Sequence, residues 1–126
     1  VFVRYKRARI AQKNGPRRMY IAMNRFTVKE ENAAAFEELW LGRESHLDQM
    51  DGFVEFHMLR GRVVDDGTIL YASHTVWKNE EVFLQWTRSD AFRAAHKNAG
   101  QTMKLHEGSP QFEGFSTIQH IPATAD

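Results

Sequence analysis

The 126-residue sequence predicts an α+β fold of the ferredoxin-like type, in which split βαβ domains pair into a dimeric α+β barrel. The first observation is the order of hydrophobic patterns, which reads strand, helix, strand, strand, helix pair, strand. The second is Asp66-Gly67 between two strand-like runs, a strong hairpin signal. The third is a strand with two apolar faces, because helices cover only one face of such a sheet and the other face needs a partner.

Each element has its own signal in the sequence. Alternation of the two sheet faces marks the strands, and apolar residues at helical spacing mark the helices. Asn79 and Ser89 stand where helix N-caps are expected. The predicted elements are strands at 19–28, 53–62, 69–77 and 111–121 and helices at 29–47, 80–87 and 89–100.

The chain divides by charge into a basic leader and an acidic main domain. Residues 1–18 carry seven lysines and arginines and no acidic residue, whereas the rest of the chain has a formal charge of −6. We expect this leader to be disordered and added by cloning or an upstream start, or to be a transit peptide, since Gly15-Pro16 breaks any regular element. Residues 19–121 then form one domain, and 122–126 form a tail.

Composition excludes several classes of protein and of site. The chain has no cysteine, which excludes disulfides, iron–sulfur clusters and thiol catalysis. No run approaches the roughly 18 apolar residues of a membrane span, and no pattern is typical of a secretory signal. The acidic main domain is expected to have little affinity for nucleic acid. We therefore expect a cytoplasmic protein with no membrane or nucleic-acid partner.

Motifs of several common enzyme classes are absent as well. There is no G-x-G-x-x-G, P-loop or G-x-S-x-G motif, so dinucleotide binding, phosphate binding and serine hydrolysis have no support. The six histidines show no spacing typical of a zinc site. Candidate chemistry therefore has to be sought among single polar side chains on apolar elements.

Three residues, Asn24, Trp77 and His96, are the candidates of this kind. His96 falls on the same helical stripe as Phe92 and Ala99, where a neutral imidazole is either a hydrogen-bonded core residue or a ligand directed into a pocket, as in iron ligation. Asn24 lies on an apolar strand face and Trp77 ends a strand, and each is also compatible with an ordinary core position. Together they suit a large, flat, apolar ligand with one coordinating atom.

The same three residues belong to longer stretches that carry a resemblance. These stretches are Asn24-Arg25, Thr75–Lys78 (TVWK) and Ser89–Lys97 (SDAFRAAHK). In combination they resemble the IsdG-type haem-degrading monooxygenases of the antibiotic biosynthesis monooxygenase superfamily, and among them the rhizobial HmuQ group. The resemblance covers roughly residues 19–121 and is specific only as a combination of motifs.

This resemblance implies an enzyme that binds haem as substrate and cofactor, opens the porphyrin ring oxidatively and releases iron, using O₂ and electrons from a reductase. It implies that His96 is the axial ligand of the haem iron, that Trp77 presses the porphyrin out of plane, and that Asn24 hydrogen-bonds near the distal oxygen. The cations expected near the porphyrin propionates are Arg25, Arg93 and Lys97.

Other functions remain open at this point. A cofactor-free monooxygenase of the same fold, acting on a quinol or polyketide, would use Asn24 and Trp77 and would not need His96 to bind metal. A non-catalytic haem-binding dimer would bind the ring and leave it intact. Nucleic-acid binding through the basic leader would vanish on deletion of residues 1–18.

Overall fold

The computed structural model describes residues 18–43, 45–97 and 105–124, so residues 1–17 of the predicted leader lie outside the described residues. Within these ranges, no helix has the length and apolar character needed to cross a membrane. Short 3-10 turns occupy Glu30–Asn32 and Leu47–Gln49. The strands and helices are β1 (Tyr20–Lys29), α1 (Ala33–Leu41), β2 (Phe53–Val63), β3 (Thr68–Trp77), α2 (Glu80–Thr87), α3 (Asp90–His96) and β4 (Glu107–Ser116).

The four strands form one antiparallel sheet in the order β2-β3-β1-β4. The predicted hairpin at Asp66-Gly67 joins β2 to β3, and Gly67 has a φ of 80°, which glycine adopts without strain. The register places Asn24 of β1 beside Ser73 of β3 and Phe112 of β4. This strand order and the positions of the helices confirm the predicted ferredoxin-like α+β fold.

The helix-facing side of the sheet carries two separate apolar clusters. The Trp77 cluster, near the start of β1, consists of Tyr20, Ala22, Leu47, Trp77, Phe83 and Trp86. The Phe36 cluster, near the end of β1, consists of Phe26, Val28, Phe36, Ile69 and Tyr71. Because alternate residues of a strand share a face, Asn24 stands on this side of β1 between the two clusters.

Side-chain caps begin both helices of the second half, as predicted. The Asn79 side chain accepts a hydrogen bond from the backbone N–H of Val82 at 2.9 Å, and the Ser89 hydroxyl accepts one from that of Phe92 at 3.1 Å. A cap of this kind typically stabilises a helix by about 1 kcal/mol. The Ser89 cap fixes the start of α3 and therefore the position of His96 at its end.

The helix predicted at residues 29–47 is wrong in length. The chain first makes a 3-10 turn, and α1 then ends at Leu41. His46 adopts a left-handed φ of 57° before the second 3-10 turn. Leu47 is buried through that turn, in the Trp77 cluster, so it continues the apolar spacing without continuing the helix.

The last strand also differs from the prediction of 111–121, because β4 runs from Glu107 to Ser116. The register of its pairing with β1 shifts between Arg25, which pairs with Gln111, and Thr27, which pairs with Glu107. Residues 108–110 therefore form a bulge opposite β1. Proline is tolerated in an edge strand, where its missing N–H interrupts no ladder. A Gly-Ser-Pro segment that reads as a loop in the sequence is therefore part of the sheet edge.

The side of the sheet that faces away from the helices, which we call the open face, carries exposed apolar side chains. Leu59 of β2, Leu70 of β3 and Phe115 of β4 are all exposed, and Ile21 and Met23 lie between them on β1. This arrangement agrees with the strand that was predicted to have two apolar faces. A single chain leaves this surface in water.

Candidate functional site

A cavity of about 550 Å³ opens between the helix-facing side of the sheet and the surrounding helices. Its volume lies within the range of roughly 300–1,000 Å³ that is usual for small-molecule and cofactor sites. Asn24 and His96, two of the three residues singled out in the sequence, both line it. The apolar lining includes several aromatic rings, and the polar side chains of the lining are Asn24, Arg43, Ser45, Ser73, Thr75, Thr87, His96 and His106.

His96 is the last residue of α3 and places its imidazole in the cavity wall. Its Nδ1 lies 2.8 Å from the carbonyl oxygen of Phe92, and the two rings stack with their centroids 4.1 Å apart. Because a carbonyl oxygen only accepts hydrogen bonds, Nδ1 carries the proton and the Nε2 of the neutral ring keeps its lone pair. The imidazole is therefore oriented and tautomerically fixed as a nitrogen ligand.

His96 does not lie on the buried side of α3, where the predicted apolar stripe would place it. The buried residue of α3 is Ala95, whereas His96 is exposed. Ala99, the third member of the predicted stripe, lies outside the described residues. The alternative of a buried core histidine is therefore not observed, because the side chain is exposed and its ring borders a cavity.

Asn24 lies half-buried in the cavity floor, in the middle of β1. In the part of the chain that the structure describes, its side-chain amide has no hydrogen-bond partner. Ser73 lies beside it on β3, while the neighbouring Thr75 hydroxyl is already engaged, donating to the backbone carbonyl of Ala22 at 3.1 Å. The amide of Asn24 thus remains available to a ligand in the cavity.

Trp77 does not line the cavity. Its side chain has no exposed surface and packs against Phe53, Phe83 and Trp86, with ring centroids 5.6, 5.9 and 5.4 Å away. Phe83 and Trp86 of α2 line the cavity themselves. The structure therefore places Trp77 behind the wall, so that any ligand in the cavity meets Trp86 and Phe83 first.

The three cations expected near the pocket do not line it. Arg25 points to the open face, where its Nε lies 2.7 Å from a carboxylate oxygen of Glu113. Arg93 pairs with Asp90 on the exposed side of α3, and Lys97 is exposed beyond the helix end. All three therefore lie outside the cavity lining, because closeness in sequence to a site residue does not decide which face a side chain takes.

Arg43 is the cation that the cavity contains. Its guanidinium lies over the Trp40 ring, 4.2 Å from the centroid, in cation–π geometry. No carboxylate pairs with it among the described residues, and burial lowers the pKa of the guanidinium, which nevertheless stays charged. A partly desolvated cation without an acidic partner is suited to bind an anionic group of a ligand. In the sequence, the only indication of this contact is that Arg43 follows Trp40 by three residues, a spacing at which side chains can meet.

His106 is a second histidine in the cavity lining, and the sequence did not single it out. It is only 9% exposed and precedes β4, with its ring edge-on to Phe26 and Phe36 at centroid distances of 5.2 and 6.2 Å. The surrounding segment has no regular periodicity, so its burial could not be predicted.

The donor set at this site limits how a metal ion could be held. Among the described residues, no three histidine, cysteine, aspartate or glutamate side chains come together as a metal site. A metal ion bound at His96 would therefore take most of its ligands from a cofactor. A planar macrocycle with apolar faces fits both this requirement and the aromatic lining.

Comparison with known proteins places this fold and site in a family. Residues 19–98 match the family model described as antibiotic biosynthesis monooxygenase. The chain belongs to the antibiotic biosynthesis monooxygenase family. Membership confirms the superfamily part of the resemblance found in the sequence and makes the protein a member of a family of monooxygenases.

Relatives within the family include haem-degrading proteins. The chain is 32% identical over 93 residues to heme oxygenase (staphylobilin-producing) 1 of Staphylococcus aureus, strains Newman and USA300. The match covers 72% of this chain and 82% of those proteins.

Several solved structures share this fold at lower sequence identity. A protein from Bacillus cereus superposes with a TM-score of 0.65 at 23% identity, covering 84% of this chain and 99% of that one. SnoaB, a cofactor-independent oxygenase from Streptomyces nogalater, gives 0.62 at 24% identity, with 83% and 98% covered. The ActVA-Orf6 monooxygenase of Streptomyces coelicolor, in complex with nanaomycin D, gives 0.64 at 19%, with 90% and 99% covered.

Proposed function

We propose that this monooxygenase binds haem as its substrate and cofactor and opens the porphyrin ring oxidatively, releasing iron. The observation that carries the proposal is His96, whose Nδ1–H is held by the Phe92 carbonyl while Nε2 has no partner among the described residues and the ring borders a cavity of about 550 Å³. The similarity to staphylobilin-producing heme oxygenases supports the same function. Assignment to the rhizobial HmuQ group remains a prediction.

The lining fits haem in shape and in charge. Aromatic side chains such as Trp40, Phe56 and Trp86 offer apolar surface to the ring, and His96 would hold the iron. Arg43 would meet a propionate, in place of the cations first expected. When bound, haem would supply both the redox-active iron and the carbon skeleton that is oxidised, with O₂ and an external reductant.

Asn24 and Trp77 have separate roles in this proposal. Asn24 would donate a hydrogen bond from its amide to the oxygen substrate, because its NH₂ has no other partner among the described residues and faces the cavity. Trp77 would press on the porphyrin only through Trp86 and Phe83, which it contacts directly. It would thus set the shape of the wall without touching the ring.

Two protein partners belong to the proposal as well. The apolar open face supports a sheet-to-sheet homodimer, because such a surface is unfavourable in water. An electron-donating reductase is the second partner, because ring oxidation with O₂ consumes electrons that an external donor would supply.

The test is a titration of the purified protein with haemin, followed by visible absorption. We expect the wild type to give a stoichiometric Soret band that decays when ascorbate is added in air with catalase. The His96→Ala variant should neither form the same complex nor turn over. His120→Ala is the matched control, because His120 is exposed and does not line the cavity, and it should behave as wild type.

Each other outcome assigns a different function. A Soret band that persists under ascorbate would identify a haem-binding dimer without catalysis. Absence of specific haemin binding by the wild type would refute the proposal and favour cofactor-free oxygenation. In that case a quinol substrate should be consumed without haem, and equally well by His96→Ala.

A further inference from the structure

We propose that His106 is a second ligand-binding side chain of the cavity, which donates a hydrogen bond to a carboxylate of the bound porphyrin and so fixes the orientation of the ring. The inference rests on the proposed function, because it assigns a residue to the anionic edge of that ligand. It makes His106 a positioning residue and gives it no part in the oxidation itself.

Burial is the first observation behind this assignment. His106 is 91% buried, yet it lines the cavity. A polar side chain buried to this degree normally has hydrogen-bond partners, because an unsatisfied group costs about 1–3 kcal/mol. In the described part of the chain, His106 Nδ1 is enclosed without a partner. Hydrogen bonding of this buried ring to a ligand therefore depends on its other nitrogen, Nε2.

The surroundings of the two ring nitrogens indicate which one carries the proton. Nδ1 of His106 is enclosed, and no acceptor lies near it among the described residues. Because Nδ1 is enclosed while His106 borders the cavity, we infer that Nε2 is the ring nitrogen that a ligand can reach. A buried donor without an acceptor is rarer than a buried acceptor without a donor. The neutral ring therefore places its proton on Nε2 and presents an N–H donor to the ligand.

The position of His106 identifies the part of the ligand that it meets. Its ring packs on Phe26 and Phe36 of the Phe36 cluster. Trp40 packs on the same Phe26 and Phe36 and carries the Arg43 guanidinium on its face. His106 and Arg43 therefore both lie beside the group formed by Phe26, Phe36 and Trp40, and both can donate hydrogen bonds to a ligand there.

His96 lies at the other end of the cavity. Its ring contacts Phe92 and Trp86, which adjoin the Trp77 cluster. Along β1 the facing members of the two clusters, Ala22 and Phe26, are four residues apart, or about 13 Å at the usual strand rise. A ligand that places its metal near His96 therefore extends its anionic substituents toward Arg43 and His106.

The test separates carboxylate recognition from iron ligation by using metal-free porphyrins. Protoporphyrin IX and its dimethyl ester are titrated into the wild type, His106→Phe and His106→Gln, with binding followed by the shift of the porphyrin absorption band. We expect His106→Phe to weaken binding of the free acid about tenfold, which corresponds to about 1.4 kcal/mol, because the variant removes a hydrogen bond to a charged group. Binding of the ester should be unchanged.

The conservative variant guards against a merely structural effect. His106→Gln retains an N–H donor at a similar reach and should restore most of the affinity for the free acid. Equal weakening of acid and ester in His106→Phe, or no weakening of either, would overturn the role of His106 while leaving haem binding intact. A wild type that binds neither haemin nor protoporphyrin would overturn the proposed function and this inference together. Thermal unfolding followed by circular dichroism identifies any variant that does not fold, and His106→Gln then decides the question.

Discussion

At the residue scale, the two imidazoles of the cavity are prepared for opposite tasks by what their Nδ1 atoms meet. The Nδ1 of His96 meets the Phe92 carbonyl, so the ring offers a lone pair from Nε2. The Nδ1 of His106 is enclosed without an acceptor among the described residues, so the ring offers an N–H from Nε2. In the proposed haem complex, the partner of Nδ1 would therefore decide which histidine binds the iron and which donates a hydrogen bond.

Because His96 is exposed, the site and the stability of the fold should separate in mutants. We expect His96→Ala to change the free energy of unfolding by less than about 0.5 kcal/mol, as is usual for surface substitutions. Phe36→Ala should cost about 3–5 kcal/mol, because Phe36 is fully buried. Urea denaturation measures both.

Phe92→Ala should destabilise the fold more than His96→Ala and less than Phe36→Ala. Its position on the predicted apolar stripe indicated a core residue, for which Phe92→Ala would cost about 3–5 kcal/mol. The structure shows it half-buried, with its ring edge-on to Trp86 at 4.8 Å. Phe92→Ala is therefore expected to lower the free energy of unfolding by about 2 kcal/mol or less. A His96→Ala variant as unstable as Phe92→Ala would contradict the ligand assignment.

At the scale of single elements, α3 is the most dependent on its surroundings. It has seven residues, too few to be stable as an isolated helix. The Ser89 cap holds its first turn, and contacts of Phe92 with Trp86 hold its apolar side. The position of His96 therefore depends on these few interactions.

A pair of cap variants tests this dependence. Ser89→Ala and Asn79→Ala should each cost about 1 kcal/mol, because each leaves a helix N-terminus uncapped. Only Ser89 caps the helix that carries His96. We expect haemin affinity to fall in Ser89→Ala and to stay at the wild-type level in Asn79→Ala. Equal affinities in the two variants would mean that packing alone positions α3.

α1 is tied to the sheet by a polar contact at its outer side. The Tyr71 hydroxyl of β3 donates a hydrogen bond to the Glu37 carboxylate, which also accepts from Arg60 of β2 at 2.9 and 3.0 Å. Burial, followed by the hydrogen bond and negative charge of Glu37, raises the pKa of Tyr71 to about 12. Hydrogen bonds from Tyr71 and Arg60 lower the pKa of Glu37.

These shifts give the pH dependence of the contact a definite sign. Tyr71 stabilises the fold fully below its unfolded pKa of about 10, and this contribution disappears as pH rises toward 12. Glu37 contributes above its ordinary pKa of 4.5 and loses that contribution as pH falls. In an absorbance titration of tyrosinate, Tyr71→Phe should remove the component near pH 12, and Tyr20→Phe should leave it. A component that survives Tyr71→Phe would contradict the assignment.

At the scale of the whole molecule, the open face is the feature that favours a dimer over a monomer. It presents exposed leucine and phenylalanine side chains on β2, β3 and β4, with Leu70 of β3 43% exposed. Exposed apolar side chains gathered on one face of a sheet are typical of an interface, and the Arg25–Glu113 ion pair shares this face. A second copy with the same face is the natural partner, because a two-fold axis matches a surface to itself.

Sedimentation velocity tests this association. We expect the wild type to have twice the 14.6 kDa of the chain, and Leu70→Asp to reduce the mass to that of one chain. Leu41→Asp is the control, because Leu41 is 85% exposed but lies at the end of α1, away from the open face. A Leu70→Asp protein that keeps the wild-type mass would place the interface elsewhere.

The sequence predicted those parts of the molecule that depend on local pattern. Alternation along β1 placed Asn24 on the correct face, and cap residues located the starts of α2 and α3. Arg43 and His106 were missed because they lie between regular elements, where tertiary packing alone decides direction. The burial of Trp77 behind Phe83 and Trp86 likewise depends on how α2 docks, which spacing along the chain does not encode.

The arrangement of aromatic side chains gives the protein an optical reporter of its own. The chain has three tryptophans, of which Trp40 and Trp86 line the cavity and Trp77 lies 5.4 Å from Trp86 between ring centroids. A chromophore in the cavity would therefore quench the emission of every indole at once. Ligand entry can thus be followed by intrinsic fluorescence in the unmodified protein, on the time scale of a stopped-flow mixing experiment.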